Sequence, residues 1–296
     1  MIVSKRVLFF VIIIALVYSC STGTKVSSVQ QNADQAWEAK DYTNALAGYE
    51  QIIANYKLEQ KTEECPVYGR AGLAALNTGD LSKAIDYLQM DTYTPFASEE
   101  TYIGLAECFR KKDNLSKEIL TLQKYLELFP EGEQIQDVKI RLFETYVESE
   151  NWELAQELWP RLPDSEINEE LLSKWFTVNL ALDNDEKCNI LSAQLLKMNP
   201  DNIPALEWQA EKAFHKAENH YQTEMDAYEK NKTNKQYKRL LAELKVVTTE
   251  FQEAKRQYEK LYKLDPKPVY AQYLSNIYVR LNDQKKADYY REKAGK

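Results

Sequence analysis

One recurring spacing constrains this chain more than any other feature. A short polar turn carrying Asp or Asn is followed by a residue that is usually apolar, and three positions later by a small one. The arrangement stands at Asp41-Tyr42 with Ala45, Gly79-Asp80-Leu81 with Ala84, and Asn151-Trp152 with Ala155. It returns at Glu250-Phe251 with Ala254 and at Asp283-Gln284 with Ala287. Weaker copies are Asn114-Leu115, with Glu118 in the small position, and Asn184-Asp185, with Cys188 there. Successive turns lie 33 to 39 residues apart, except for one step of 66 between Asn184 and Glu250, twice 33. Pro130, Pro200 and Pro266 keep similar time, and each is placed to close a helix.

The pattern has a physical cause. Over residues 68–75, Gly69, Ala71, Gly72, Ala74 and Ala75 are small, as two helices of one unit must be where they approach closely. The turn at Gly79-Asp80 reverses the chain, and Ala84 and Leu88 continue a buried stripe at helical spacing. A single helix pair cannot bury both of its faces, so neighbouring pairs must stack and share one core. Only 8 Gly and 9 Pro interrupt the chain, too few for a protein rich in strands and tight turns.

A helix–turn–helix unit with a period near 34 resembles the tetratricopeptide repeat (TPR) family, and the resemblance covers residues 30–295. It implies an all-α fold, a right-handed superhelical solenoid of about eight units over 31–296. In that family the first helix of each unit lines a concave binding face. The resemblance places Leu73, Leu76 and Asn77 there, followed by Glu107, Arg110 and Lys111, then Ile140, Glu144 and Val147. Members that hold a chaperone tail carry a Lys and an Asn four apart in their first repeat. Gln30 and Asp34 occupy those positions here, so that activity is not implied.

Residues 203–234 depart from the rhythm. A turn is due near 217, yet His215-Lys216-Ala217-Glu218-Asn219-His220 holds no Gly or Pro. The stripe Leu206, Ala210, Ala213, Ala217, Tyr221, Met225, Tyr228 runs straight through it. One continuous helix of about 25 residues, about 37 Å long, is expected, broken at 231–234. It reads as a degenerate repeat packed in the array; the other reading is a docking arm.

The N-terminus is an address rather than part of the fold. Lys5 and Arg6 precede an apolar run from Val7 to Val17, shorter than the about 20 residues a membrane-spanning helix needs. Val17-Tyr18-Ser19-Cys20 resembles a bacterial lipobox, with Tyr18 where a small residue is commoner. The resemblance implies a signal peptide over 1–19, lipidation of Cys20, and a flexible polar tether over 20–30. Ordinary cleavage nearby, after Ser21, would instead release a soluble protein.

Little points to catalysis. The only histidines, His215 and His220, project about 140° apart on a helix, which excludes the paired ligands of a zinc protease helix. No glycine-rich phosphate loop is present. Glu99-Glu100 and Glu169-Glu170 suit the first turn of helices, where negative charge meets the helix dipole. Cys65, Cys108 and Cys188 form no metal spacing, and in an oxidising compartment they permit one disulfide at most. No cofactor, metal or enzymatic activity is expected. A net charge of −8 without a dense basic stripe speaks against nucleic acid.

The expected role is therefore that of a scaffold of the bacterial envelope, lipid-anchored to a membrane and holding protein or peptide partners. In outline it resembles repeat-built lipoproteins of outer-membrane protein assembly. The alternative is a surface receptor for glycan or peptide, stacking its ligand on some of the 20 Tyr and 5 Trp.

Overall fold

The computed structural model describes residues 27–295. The signal segment, Cys20 and residues 20–26 of the expected tether lie outside them. Residues 27–30, also expected in the tether, are helical, so the folded body begins earlier than the composition implied. All regular structure among the described residues is helical. The chain divides after Pro163 into two compact units. The first holds α1 (27–38), α2 (Tyr42–Leu58), α3 (Tyr68–Asn77), α4 (Leu81–Asp91), α5 (Glu99–Lys111), α6 (Leu115–Leu128), α7 (Ile135–Glu148) and α8 (Trp152–Leu158). The second holds α9 (Glu169–Ala181), α10 (Asp185–Met198), α11 (Ile203–Lys230), α12 (Asn234–Leu264), α13 (Pro268–Arg280) and α14 (Gln284–Lys293).

Six turns within the helix pairs share one construction. Lys40, Gly79, Asp113, Glu150, Asp183 and Asn282 all take the left-handed backbone region, with φ from 53° to 84°. At each, the left-handed residue donates its N–H to the carbonyl three residues back, and the next residue donates to the carbonyl five back. Gly79 to Leu76 (3.1 Å) and Asp80 to Ala75 (2.9 Å) are one such pair. This Schellman closure satisfies the last carbonyls of the first helix. The Asp or Asn that follows then caps the second helix: Asp80 Oδ1 accepts the Lys83 N–H at 3.1 Å. Asp41, Asn114, Asn184 and Asp283 do the same. Asn151 departs, its amide donating to Ser149 Oγ at 2.7 Å instead. A single Asp or Asn thus ends one helix and starts the next, which is why that residue marks the period.

The turn expected at Glu250-Phe251 does not exist. Helix α12 runs 31 residues through it. Thr249 is β-branched and disfavours the left-handed region, and Glu250 is too long for a side-chain N-cap. The break expected at 231–234 does occur, at 231–233, after an α11 of 28 residues. Two expected units therefore merge into one long hairpin, and the described residues hold seven helix pairs rather than about eight units. The proline stops stand where expected, just beyond α6, α10 and α12.

The small positions form the seams between helices. Ala45, Ala84, Ala155, Cys188 and Ala287 are fully buried, and so is Ala254, in mid-helix. At Gly72 an added Cβ would stand 2.5 Å from Leu88 Cγ, so α3 and α4 touch there as closely as side-chain volume permits. Around these seams the first unit packs Tyr49, Ile52, Tyr68 and Leu88 into one core. In the second, Leu206, Ala210, Phe214 and Ala217 of α11 face Val247, Phe251, Ala254 and Tyr258 of α12. The half of α11 before Tyr221 thus packs in the core. The rest of the hairpin continues beyond that core.

Candidate functional site

In the first unit, first helices of successive pairs touch side by side. Arg70 of α3 lies 4.8 Å above the Trp37 ring of α1. An added Cβ on Gly104 of α5 would meet Leu73 of α3 at 2.6 Å. Arg110 of α5 reaches Thr145 and Glu148 of α7, both at 3.2 Å. The helices line a common face with two hollows.

The first hollow, about 430 Å³, lies where α1, α3 and the start of α5 converge, lined by Trp37, Arg70, Leu73, Asp91, Phe96 and Glu100 among others. Arg70 is exposed, and its stacking on Trp37 is a cation–π contact. Asp91 at the end of α4 is 1% exposed and accepts hydrogen bonds from Thr101 Oγ1 (2.7 Å) and Thr94 Oγ1 (3.3 Å). Burial pushes its carboxyl above the usual range, although those hydroxyls and the Gly69 N–H pull the other way. An added Cβ on Gly69 would come within 2.7 Å of Asp91 Oδ2, so the absent side chain makes room for the carboxylate. Glu100 on the rim is held below its ordinary range by the Ser98 hydroxyl, 2.6 Å away. The hollow therefore joins an aromatic floor, one exposed cation and acidic edges, a surface suited to a polypeptide segment with apolar and charged side chains.

The second hollow, about 350 Å³, is lined by Arg110, Asp137, Ile140, Arg141 and Glu144. Behind it lies Glu118, in the position that other pairs fill with Ala or Cys. It is fully buried, and its Oε1 accepts from Arg110 Nε at 2.9 Å and Arg141 Nε at 2.8 Å. Two guanidinium groups neutralise the one carboxylate that interrupts the small-residue seam.

The nine residues expected on this face divide. Leu73 lines the first hollow, and Arg110, Ile140 and Glu144 line the second. Arg110 is largely committed to Glu118, Thr145 and Glu148. Leu76 is a correction: it is buried in the core, because α3 turns that side toward its partner helices. Asn77 donates to the Leu73 carbonyl at 2.8 Å, serving its own helix end. Glu107 and Lys111 pair with each other at 3.1 Å along α5, and Val147 is half-buried on α7. Trp37, Arg70 and Asp91 were missed. A signal for Asp91 existed: seven residues after the small position, other pairs carry Ile52, Tyr125, Leu162 and Leu195. A carboxylate in that apolar column marks a polar junction.

The remaining candidates line neither hollow. His215 is exposed beside Glu211 at 3.6 Å, and His220 shares a hydrogen bond with Glu250 at 2.9 Å. Cys65, Cys108 and Cys188 are buried free thiols, and burial raises all three, Cys108 to about 11. Among the described residues no group of three or more His, Cys, Asp or Glu could hold a metal, and no helix is long and apolar enough to cross a membrane.

No family model matches this sequence, and no curated protein matches it. Solved structures do. The C-terminal part of a TPR repeat-containing protein from Cytophaga hutchinsonii is 15% identical, over 90% of this chain and 93% of that one, with a TM-score of 0.52. A tetratricopeptide repeat protein from Parabacteroides merdae is 11% identical, over 92% and 93%, with a TM-score of 0.46. At such identities the likeness concerns fold, and the Cytophaga structure carries it. Together with the repeated helix-pair turns, it shows that the chain is an all-α repeat protein with the tetratricopeptide fold.

Proposed function

We propose that this protein is a non-enzymatic adaptor, anchored to a membrane of the bacterial envelope through Cys20, that holds a segment of a partner protein on the face lined by α1, α3, α5 and α7. The observation that carries the binding half is the hollow lined by exposed Arg70, stacked on Trp37, and by buried Asp91. Helix-pair arrays present extended surfaces of this kind, and concave sites with a few placed polar groups are where ligands settle. The anchoring half rests on the sequence from Lys5 to Cys20. The receptor reading has less behind it. Among the described residues the strongly exposed rings are Tyr93 and Phe96 after α4 in the first unit, and Tyr237 on α12 and Tyr289 on α14 in the second, spread over different elements.

The test is site-directed photo-crosslinking in cells. A crosslinker at Leu73 should capture a defined envelope protein, whereas one at exposed Ile190 on α10 should not. The Trp37→Ala/Arg70→Ala variant should lose that product, and Cys20→Ala should lose membrane recovery. Equal products from Leu73 and Ile190, or a product indifferent to Trp37 and Arg70, would remove the groove from the account. Unchanged membrane recovery in Cys20→Ala would remove the anchor.

A further inference from the structure

The long α11–α12 hairpin ends in a basic run, a local exception to the expectation that no dense basic stripe is present. Between residues 230 and 239 stand Lys230, Lys232, Lys235, Lys238 and Arg239 with no acidic residue, in a protein whose net charge is −8. The shared apolar core of the second unit includes α11 up to Tyr221 and α12 from Val247 onward. Beyond it the two helices hold each other. Arg239 reaches the buried Glu224 at 2.7 Å, Lys232 pairs with Glu229 at 2.6 Å, and the Tyr228 and Tyr237 rings meet at 5.8 Å. Asp226 is the one other acid on this stretch of α11. Among the described residues Lys230, Lys235 and Lys238 have no carboxylate within ion-pair distance, and Tyr237 is 48% exposed.

We infer that this tip docks on the surface of an anionic phospholipid bilayer. The unpaired cations are all lysines, while the arginine, the better tool for geometric recognition of a carboxylate, is tied to Glu224. Hydrated point charges on flexible stems suit a diffuse sheet of phosphates rather than a defined acidic pair. The half-exposed Tyr237 among them matches the amphipathic rings found at headgroup level. Ten residues are also fewer than the 20–30 a specific protein interface takes from each side. The inference is independent of the groove and of the N-terminal anchor. Should both anchor and tip act, they would form the two-signal attachment that makes peripheral binding firm.

The experiment is hydrogen–deuterium exchange of the full chain, titrated with phosphatidylcholine bilayers with and without phosphatidylglycerol. Exchange at residues 228–238 should slow only with phosphatidylglycerol, and high salt should reverse the effect. Each lysine near such a surface contributes about a fivefold factor in binding. Lys230→Gln/Lys232→Gln/Lys235→Gln/Lys238→Gln should therefore raise the lipid needed for half-protection by on the order of a hundredfold or more. The matched variant Lys187→Gln/Lys197→Gln/Lys263→Gln/Lys285→Gln, at exposed positions elsewhere in the second unit, should change it little. Protection on phosphatidylcholine alone, no protection at all, or an unmoved midpoint in the tip variant would each overturn the proposal. So would an equal loss in the matched variant. Equal protection by polyglutamate would assign the tip to an acidic macromolecule instead.

Discussion

Replacing Glu118 with Ala should destabilise the first unit, although Ala is what most other pairs carry at that position. The carboxylate is fully buried, and both of its bonds, 2.9 Å from Arg110 Nε and 2.8 Å from Arg141 Nε, fall on one oxygen. Its second oxygen and Arg141 Nη2 have no partner, so the cluster is incompletely satisfied even before mutation. Removing one member of a buried ion pair costs about 3–5 kcal/mol, chiefly because the charge left behind is stranded. Here the arginine side chains keep 36% and 25% of their surface in water, and Arg110 retains Glu148, so the low end applies, about 3 kcal/mol. For a unit of this size that lowers the midpoint of thermal unfolding by about 6–12 °C. Circular dichroism melts and urea titrations of the full chain would measure it. The companion variant decides the cause. In Glu118→Ala/Arg141→Leu the stranded guanidinium is gone and an apolar side chain faces an alanine seam, so the loss should shrink to about 1 kcal/mol. If Glu118→Ala were as stable as wild type, or if the double variant were the less stable of the two, the electrostatic reasoning would be wrong.

Three further perturbations probe the repeat physics and the second unit. Gly72→Ala should cost about 1–3 kcal/mol, because its Cβ would stand 2.5 Å from Leu88 Cγ in the seam between α3 and α4; a urea midpoint no lower than wild type would contradict that packing. Glu150→Gly should stabilise by about 0.5–1 kcal/mol, since φ is 57° there and glycine takes that region without steric penalty; a lowered melting midpoint would count against it. Glu218, held below its ordinary range by Arg280 at 3.0 Å, should contribute stability that is full above the unfolded carboxyl value of about 4.3 and is lost as pH falls through the lower folded one. Glu218→Gln should therefore be less stable than wild type at neutral pH by about 1 kcal/mol, with the gap closing below about pH 4. A constant gap across that range would exclude the titration.

What the sequence made legible was the grammar of the turns; what it hid was the identity of the surfaces. Asp41, Asp80, Asn114, Asn151, Asn184 and Asp283 are readable because one residue type is needed at one place, after a left-handed residue and before a new helix. The small residue that follows is readable because two backbones must come close. Glu250 shows where that reading fails. Phe251 and Ala254 pack as a repeat requires, so the periodic stripe survives there without a turn. Packing periodicity and chain reversal are separate properties, and only the Asx residue with its left-handed neighbour reports the second. The hairpin follows from that separation, since two units keep their buried faces while losing both internal turns. The candidate groove was less legible for a related reason. Its position on the first helices follows from the fold, but its chemistry comes from exceptions to the pattern: Asp91 in an apolar column, Glu118 in a small one, and Arg70 laid on Trp37 across a gap of 33 residues. Residues that obey the repeat build the scaffold and are predictable together. Residues that break it need a local partner to be tolerated, and those partners, Thr101 for Asp91 and two arginines for Glu118, sit on neighbouring helices that sequence spacing alone does not bring together. In a repeat protein the departures from the consensus are therefore the first places to look for what one member does that the others do not.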